Sequence, residues 1–192
     1  MKQDLNVRSH KQVEGIAARV VPLALFIIGI IACYQGALRE IGWFGPTVVG
    51  LIVLYEITRN KQVIKPKLYI LLYVGITGFV MESIMIGLGI YSVVESSRWL
   101  LPSPLAPLWI VALWVNYAAR VPAFVVRFRG KHLINFIIGF VFAGLVYRSA
   151  TSLGLVDLSW GWGTLAIIGL FWGPFVITIY LVAERQFRFL FK

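Results

Sequence analysis

The sequence predicts an all-α, polytopic membrane protein, a bundle of six transmembrane helices with both termini in the cytoplasm. Of its 192 residues 59% are hydrophobic, and the mean hydropathy of +0.84 is far above that of an ordinary soluble domain. The apolar residues form six runs, each near the ~20 residues that a helix needs to cross a hydrocarbon core. The basic residues stand between these runs, as in membrane proteins that obey the positive-inside rule.

The predicted spans follow one another with short connections. They cover residues 20–38, 42–58, 68–90, 104–126, 133–153 and 162–183. Residues 1–19 are expected to form a basic cytoplasmic segment, residues 20–184 the transmembrane domain, and residues 185–192 a cytoplasmic tail.

The basic residues predict the orientation of the chain. Fifteen of the 18 Lys and Arg residues fall on one side of the predicted membrane, and three, Arg39, Arg98 and Arg148, fall on the other. By the positive-inside rule the basic side is cytoplasmic. The formal net charge of +10 is explained by this distribution, so no nucleic-acid partner is expected.

The sequence contains no recognisable pattern of metal-ligating or cofactor-binding residues. The single cysteine, Cys33, excludes a cysteine cluster, and His10 and His132 lack the spacing of paired histidine ligands. Neither a phosphate-binding P-loop nor a GxSxG nucleophile elbow occurs. We therefore expect no metal and no cofactor.

Glu82 is the candidate catalytic residue because it lies deep in the third predicted span. Gly75 and Gly78 share its helical face, which favours close approach of a second helix. An ionisable group at such depth is costly unless it is paired or hydrated, and it marks a functional site by default.

Helical rise places several polar side chains at the depth of Glu82, in the outer half of the membrane. The residues expected to line a substrate cavity there are Gln35, Trp109, Asn116, Tyr147 and Arg148. Trp114 falls on a different face from Trp109 and is expected to pack only. A second candidate pair, Glu56 and Arg120, lies near the inner edge.

Two interpretations of Glu82 remain open. In the first, Glu82 holds a proton and donates it to a bound apolar or amphipathic molecule, while Arg148 binds an anionic head group. In the second, Glu82 and Arg148 form an ion pair that only stabilises the bundle.

Three stretches carry a resemblance to a known family: MESIMIGLG, LAPLWIVALWVNYA and GFVFAGLVYRSATSLG. They resemble an uncharacterised family of bacterial six-span inner-membrane proteins with a domain of unknown function, most strongly over residues 75–154. That family usually has aspartate at the position of Glu82 and a Pro-x-Trp entry like Pro107 and Trp109. Its Gly-Pro-x-x-Tyr motif lacks the proline here, where residues 143–147 read AGLVY. The resemblance implies a location in the cell inner membrane and no particular reaction.

A more limited similarity concerns integral-membrane terpene cyclases, in which an embedded acid protonates a polyprenyl chain. Gly45 and Pro46 followed by Glu56 are similar to the Gly-x-Pro and later Trp-Glu of those enzymes. Tyr55 replaces the tryptophan, and the last span has no aspartate.

These observations predict a small membrane protein that handles a lipidic or isoprenoid-like molecule in an outer-half cavity, as an enzyme if Glu82 acts as an intramembrane acid. The alternatives are a non-catalytic accessory or scaffold subunit with a Glu82–Arg148 clasp and, third, a small transporter. The expected partners are membrane lipids or a lipophilic small molecule, with a membrane-protein partner or a second copy of the chain as further alternatives.

Overall fold

The computed structural model describes residues 2–59 and 63–188, with side chains described for residues 20–58 and 63–188. The described chain is mostly helical, with loops, one short pair of strands and a single-turn 3-10 helix at Glu95–Ser97. All side chains of the predicted segment 1–19, and residues 189–192 of the predicted tail, lie outside the described residues. The elements in chain order are α1 (Lys2–Leu38), α2 (Phe44–Arg59), α3 (Ile64–Gly87), β1 (Tyr91–Val93), α4 (Leu108–Ala118), α5 (Val121–Phe128), α6 (His132–Ser152), β2 (Val156–Leu158) and α7 (Trp162–Gln186).

Four described helices are long and apolar enough to cross a membrane: Val20–Leu38 within α1, and α3, α6 and α7. The bent pair α4 and α5 counts as a fifth if it forms one span. The apolar helix α2 has 16 residues and is about 24 Å long, shorter than the ~30 Å hydrocarbon core of a bilayer. These helices are consistent with a membrane-embedded protein.

The predicted fourth span, residues 104–126, is not one helix. Its first helix begins only at Leu108, after Pro107, because residues that precede a proline disfavour the helical conformation. α4 and α5 then meet at a bend of 51°. Pro122 lies in the first turn of α5, where its missing N–H and its ring prevent α4 from continuing.

Two strands join the loops at one end of the bundle. β1 follows α3, β2 follows α6, and they pair antiparallel with Tyr91 opposite Leu158 and Val93 opposite Val156. No sequence pattern indicated them, since three residues are too few to show alternation. We call this the strand end of the bundle. The opposite end, where α3 and α6 begin and α7 ends, is the basic end.

α4 occupies the centre of the bundle, where it contacts α1, α2 and α3, while α6 packs along α7. Accordingly Trp109, Trp114 and Asn116 of α4 are all buried although they lie on different faces of the helix. The Trp114 ring lies 4.3 Å from that of Trp172, centroid to centroid, which connects α4 to α7.

The glycines of α3 face α4, as their spacing predicts. A Cβ atom added at Gly78 would lie 2.7 Å from Cγ of Trp114, and one at Gly75 would lie 3.2 Å from Val115. Gly89, in contrast, lies beyond the helix, with a φ of +67°. The absence of a side chain at Gly78 lets the Trp114 indole lie directly on the α3 backbone.

We expect Gly78→Ala to lower the free energy of unfolding by about 1–3 kcal/mol, the usual cost of overpacking a well-packed core. Thermal unfolding of the purified protein in detergent, followed by circular dichroism, measures the effect. Gly50→Ala is the matched control, because nothing lies within 4 Å of its added Cβ atom. In that exposed helical position alanine should be neutral or stabilising. Equal destabilisation by the two substitutions would contradict the role of Gly78.

Candidate functional site

Glu82 is fully buried and has hydrogen bonds at both carboxyl oxygens. Its Oε2 atom accepts hydrogen bonds from the hydroxyl of Tyr91, at 2.7 Å, and from the hydroxyl of Tyr147. Its Oε1 atom accepts one from Nε1 of Trp114 at 2.9 Å. We call Glu82 and these three donors the carboxyl cluster.

The three donors come from three different elements, so the cluster depends on the whole fold. Tyr147 lies on α6, Trp114 on α4 and Tyr91 on β1. The pairing of β1 with β2 turns Tyr91 back over the end of α3, nine residues after Glu82. The Tyr91 and Tyr147 rings are 4.9 Å apart in an edge contact. Burial, and then the nearby Glu82 carboxyl, raise the pKa of Tyr91 well above its ordinary value, so its hydroxyl keeps the proton that it donates.

Among the side chains that the structure describes, no cation contacts Glu82. A carboxylate at this position would be stabilised by neutral hydroxyl and indole dipoles alone, an arrangement that is costly in an apolar bundle. Proton exchange with a ligand would require one of the three donors to move away first. The cluster is therefore enclosed in the conformation shown.

The second interpretation of Glu82, an ion pair with Arg148, is wrong for this structure, in which the Glu82 carboxyl accepts hydrogen bonds from Tyr91, Trp114 and Tyr147. Arg148 is exposed, and its guanidinium carbon lies 5.5 Å from the centroid of the Trp162 ring. Successive residues of an α-helix point about 100° apart, and on α6 it is Tyr147 that points to the interior. Depth along the helix was predicted, but the side of the helix that faces the core was not.

The other predicted lining residues do not share one cavity. Gln35 is exposed and lies with Arg39 in a groove of about 430 Å³ beside α1 and α2. Asn116 is buried and donates through Nδ2 to the carbonyl of Phe26 at 2.9 Å, which attaches α4 to α1. Trp109 is buried close to Glu82, although its indole N–H has no partner among the described residues.

Sequence reasoning missed two of the three donors of the carboxyl cluster: Trp114, which was expected only to pack, and Tyr91, which was not among the candidate residues. Gly78, one helical turn before Glu82, was the available signal for Trp114. A glycine at that spacing leaves room for a large ring to cross α3 and reach the acid.

An apolar cavity, which we call the main cavity, lies next to the carboxyl cluster. Its volume is about 250 Å³. It is lined by Phe26, Ile30, Leu113, Trp114, Tyr117, Phe124, Phe128, Ile138, Gly139, Phe142, Val146, Trp172, Val176 and Tyr180. A smaller void of about 20 Å³ touches Glu82 and shares with the main cavity the walls Leu113, Trp114, Val146 and Trp172.

The position of the main cavity differs from the prediction. The cavity was expected in the outer half, around Glu82, but it extends from Trp114 towards Phe124, Phe128 and Tyr180 at the basic end. The bend between α4 and α5 explains the difference, because it places the aromatic side chains of α5 across that end of the bundle.

The second predicted pair is in contact. Nη1 of Arg120 donates to Oε1 of Glu56 at 3.0 Å, and the side chains are 4% and 13% exposed. Nζ of Lys67 donates to the backbone carbonyl of Glu56 at 2.7 Å. Arg120 immediately precedes α5, so this contact connects the break in the central helix to α2 and α3.

No group of three or more His, Cys, Asp or Glu side chains lies close enough to hold a metal ion within the described part of the chain.

Tyr147→Phe should lower the free energy of unfolding by about 1–3 kcal/mol, because it removes a donor from a buried acceptor and keeps the ring. Chemical or thermal unfolding in detergent measures the change. Tyr69→Phe is the control, since Tyr69 is 50% exposed. If both variants unfold like the wild type, Tyr147 does not stabilise the Glu82 carboxyl.

For the second pair we expect Arg120→Met to destabilise the protein by up to about 3 kcal/mol, because it removes the guanidinium that donates to the largely buried Glu56 carboxylate. The double variant Arg120→Met with Glu56→Met should recover part of this loss. A double-mutant cycle of unfolding free energies gives the coupling, and strictly additive losses would show that the contact contributes nothing.

Comparison with known proteins finds one family. A family model described as "Protein of unknown function (DUF2878)" matches residues 19–178, most of the chain. No curated protein and no solved structure matches. The chain belongs to this uncharacterised domain family.

Proposed function

We propose that this protein is a small lipid-handling protein of the cell inner membrane that binds the hydrocarbon chain of a lipid or isoprenoid-like molecule in the main cavity. One observation carries the proposal. The Trp114 indole forms a wall of the cavity with its ring and donates a hydrogen bond to Glu82 with its N–H. A ligand in the cavity therefore touches a side chain that holds the buried acid.

The size and lining of the cavity suit a hydrocarbon. An apolar cavity of ~150 Å³ is enough to bind the six carbons of benzene, so about 250 Å³ has room for roughly ten carbons. Eight of the fourteen lining residues are aromatic, and the lining surface is almost entirely carbon. Dispersion and the hydrophobic effect, not hydrogen bonding, would supply the affinity.

In this proposal the chain crosses the membrane six times, with α2 as a short span and α4 with α5 as one bent span. Both termini are cytoplasmic, so the basic end lies at the cytoplasmic surface. The supporting observation is the distribution of the Lys and Arg residues, most of which lie near that end.

Glu82 has two candidate roles within this function. As a catalytic acid it would donate a proton to the ligand once displacement of Trp114 had freed Oε1. As a structural residue it would hold α3, α4, α6 and β1 together without reacting. The three donors that occupy both oxygens favour the second role, in which the protein is a non-catalytic lipid-binding subunit.

Filling the cavity tests the binding proposal. A lipid with a photoactivatable diazirine in its acyl chain should label the lining segments of α1, α4 and α6 in wild-type protein reconstituted into bilayers, as mapped by mass spectrometry of peptides. Ile138→Trp adds volume at a lining position and should reduce this labelling at least about fivefold, while Ile137→Trp, on the 50% exposed neighbour, should not. Unchanged labelling of the lining segments in Ile138→Trp would overturn the proposal.

The two roles of Glu82 are separated by comparing lipid extracts of cells that make wild type, Glu82→Gln or no protein. An enzyme predicts that Glu82→Gln reproduces the lipid profile of the deletion although the protein accumulates normally. If the protein is a non-catalytic subunit, cells that make a folded Glu82→Gln variant should have the same lipid profile as cells that make the wild type.

A further inference from the structure

The main cavity has a buried side and a partly exposed side. The walls contributed by α7 and by Trp114 of α4 are buried, whereas those contributed by α1, α5 and α6 keep part of their surface exposed. The partly exposed lining residues are Phe26 and Ile30 of α1, Leu113 and Tyr117 of α4, Phe124 and Phe128 of α5, and Ile138, Phe142 and Val146 of α6, whereas Gly139 of α6 is buried. The cavity is therefore reached from the membrane between α1 and α6, on the side of α5 that faces the strand end. We call this opening the mouth.

Few contacts close the mouth. The Phe26 and Phe142 rings stack across it with centroids 6.2 Å apart. The hydroxyl of Tyr34 donates to the carbonyl of Val146 at 2.9 Å, nearer the strand end. The first contact joins two side chains that can rotate, and the second ties α1 to α6 at the edge of the cavity nearer the strand end. A chain can thus enter from the half of the membrane next to the basic end.

Exposed basic residues adjoin, along the chain, the lining residues of α5 at the basic end of this mouth. Arg127 lies between the two lining residues of α5, Phe124 and Phe128, and Lys131 follows Phe128 by three residues. Both basic side chains are exposed. One acid is near: Oε1 of Glu184 accepts a hydrogen bond from the backbone N–H of Gly130 at 3.1 Å. Arg129 and Arg185 add further positive charge, so this end of the mouth stays basic despite Glu184.

We propose that the ligand is an anionic lipid of the leaflet at the basic end, with its acyl chain in the main cavity and its phosphate against Arg127 and Lys131. The inference rests on the proposed function and adds the charge of the head group and the direction of entry. The apolar lining at the mouth and the exposed positive charge of Arg127 and Lys131 match the two halves of such a lipid. A head group at Arg148, the position expected from the sequence, would lie near the opposite end of α6 from Lys131 and the basic end.

Native mass spectrometry of the detergent-purified full chain tests this inference with two probes, phosphatidylglycerol and phosphatidylcholine of identical acyl chains. Wild type should bind the anionic probe at least about tenfold more tightly. Arg127→Gln with Lys131→Gln should remove most of this preference, since each basic side chain near a membrane surface strengthens anionic binding several-fold. Arg39→Gln with Arg148→Gln is the control, because it removes the same charge at the strand end.

The outcomes separate the two proposals. Equal affinity for both probes in wild type, or an equal loss in the control pair, overturns the inference about the head group and leaves the cavity proposal standing, provided that Ile138→Trp weakens both probes. Either result would also mean that Arg127 and Lys131 only help to set the orientation of the chain in the membrane. If Ile138→Trp weakens neither probe, the cavity does not hold the chain and both proposals fail.

Discussion

The burial of one carboxyl group without a cation is the constraint on which this structure depends. A carboxyl group among apolar helices must receive hydrogen bonds, because each unsatisfied polar atom there costs several kcal/mol. Glu82 obtains them from Tyr91, Trp114 and Tyr147, one donor from each of three elements that are distant in sequence. The carboxyl cluster therefore forms only when α3, α4, α6 and the β1–β2 pair are all in place. Its formation specifies their arrangement.

This constraint also explains why the cavity lies where it does. Trp114 has to cross the glycine face of α3 to reach Glu82, and its ring then forms a wall between the carboxyl cluster and the main cavity. Trp172 packs against it, with the ring planes tilted by 46°, and continues the wall. A polar cluster and an apolar cavity are thus kept apart by one aromatic layer, and that layer is held by the polar cluster itself. Any molecule that moves Trp114 would change the hydrogen bonding of Glu82.

The sequence predicted the class of fold and the burial of the acid, but not the partners of that acid. Hydropathy and charge distribution depend on composition along the chain, so they identify apolar helices well. Partner choice depends on helix rotation, where one residue makes a difference of about 100°. Tyr147 and Arg148 illustrate this: they are neighbours at one depth, yet the first faces Glu82 and the second faces away. Glu56 and Arg120, which were paired because both were expected near the inner edge, are in contact.

The break between α4 and α5 shapes the main cavity at the basic end. A straight fourth helix would run parallel to its neighbours, and packing along its full length would leave little space beside α6 and α7. Pro122 instead ends α4, and the 51° bend swings Phe124 and Phe128 across the basic end as a floor. Such a break frees backbone groups and weakens the local helix. The buried contact of Arg120 with Glu56, next to the backbone contact of Lys67, stabilises the chain at that point. The Glu56–Arg120 pair thus supports the floor of the cavity. The carboxyl cluster supports the opposite wall, through Trp114.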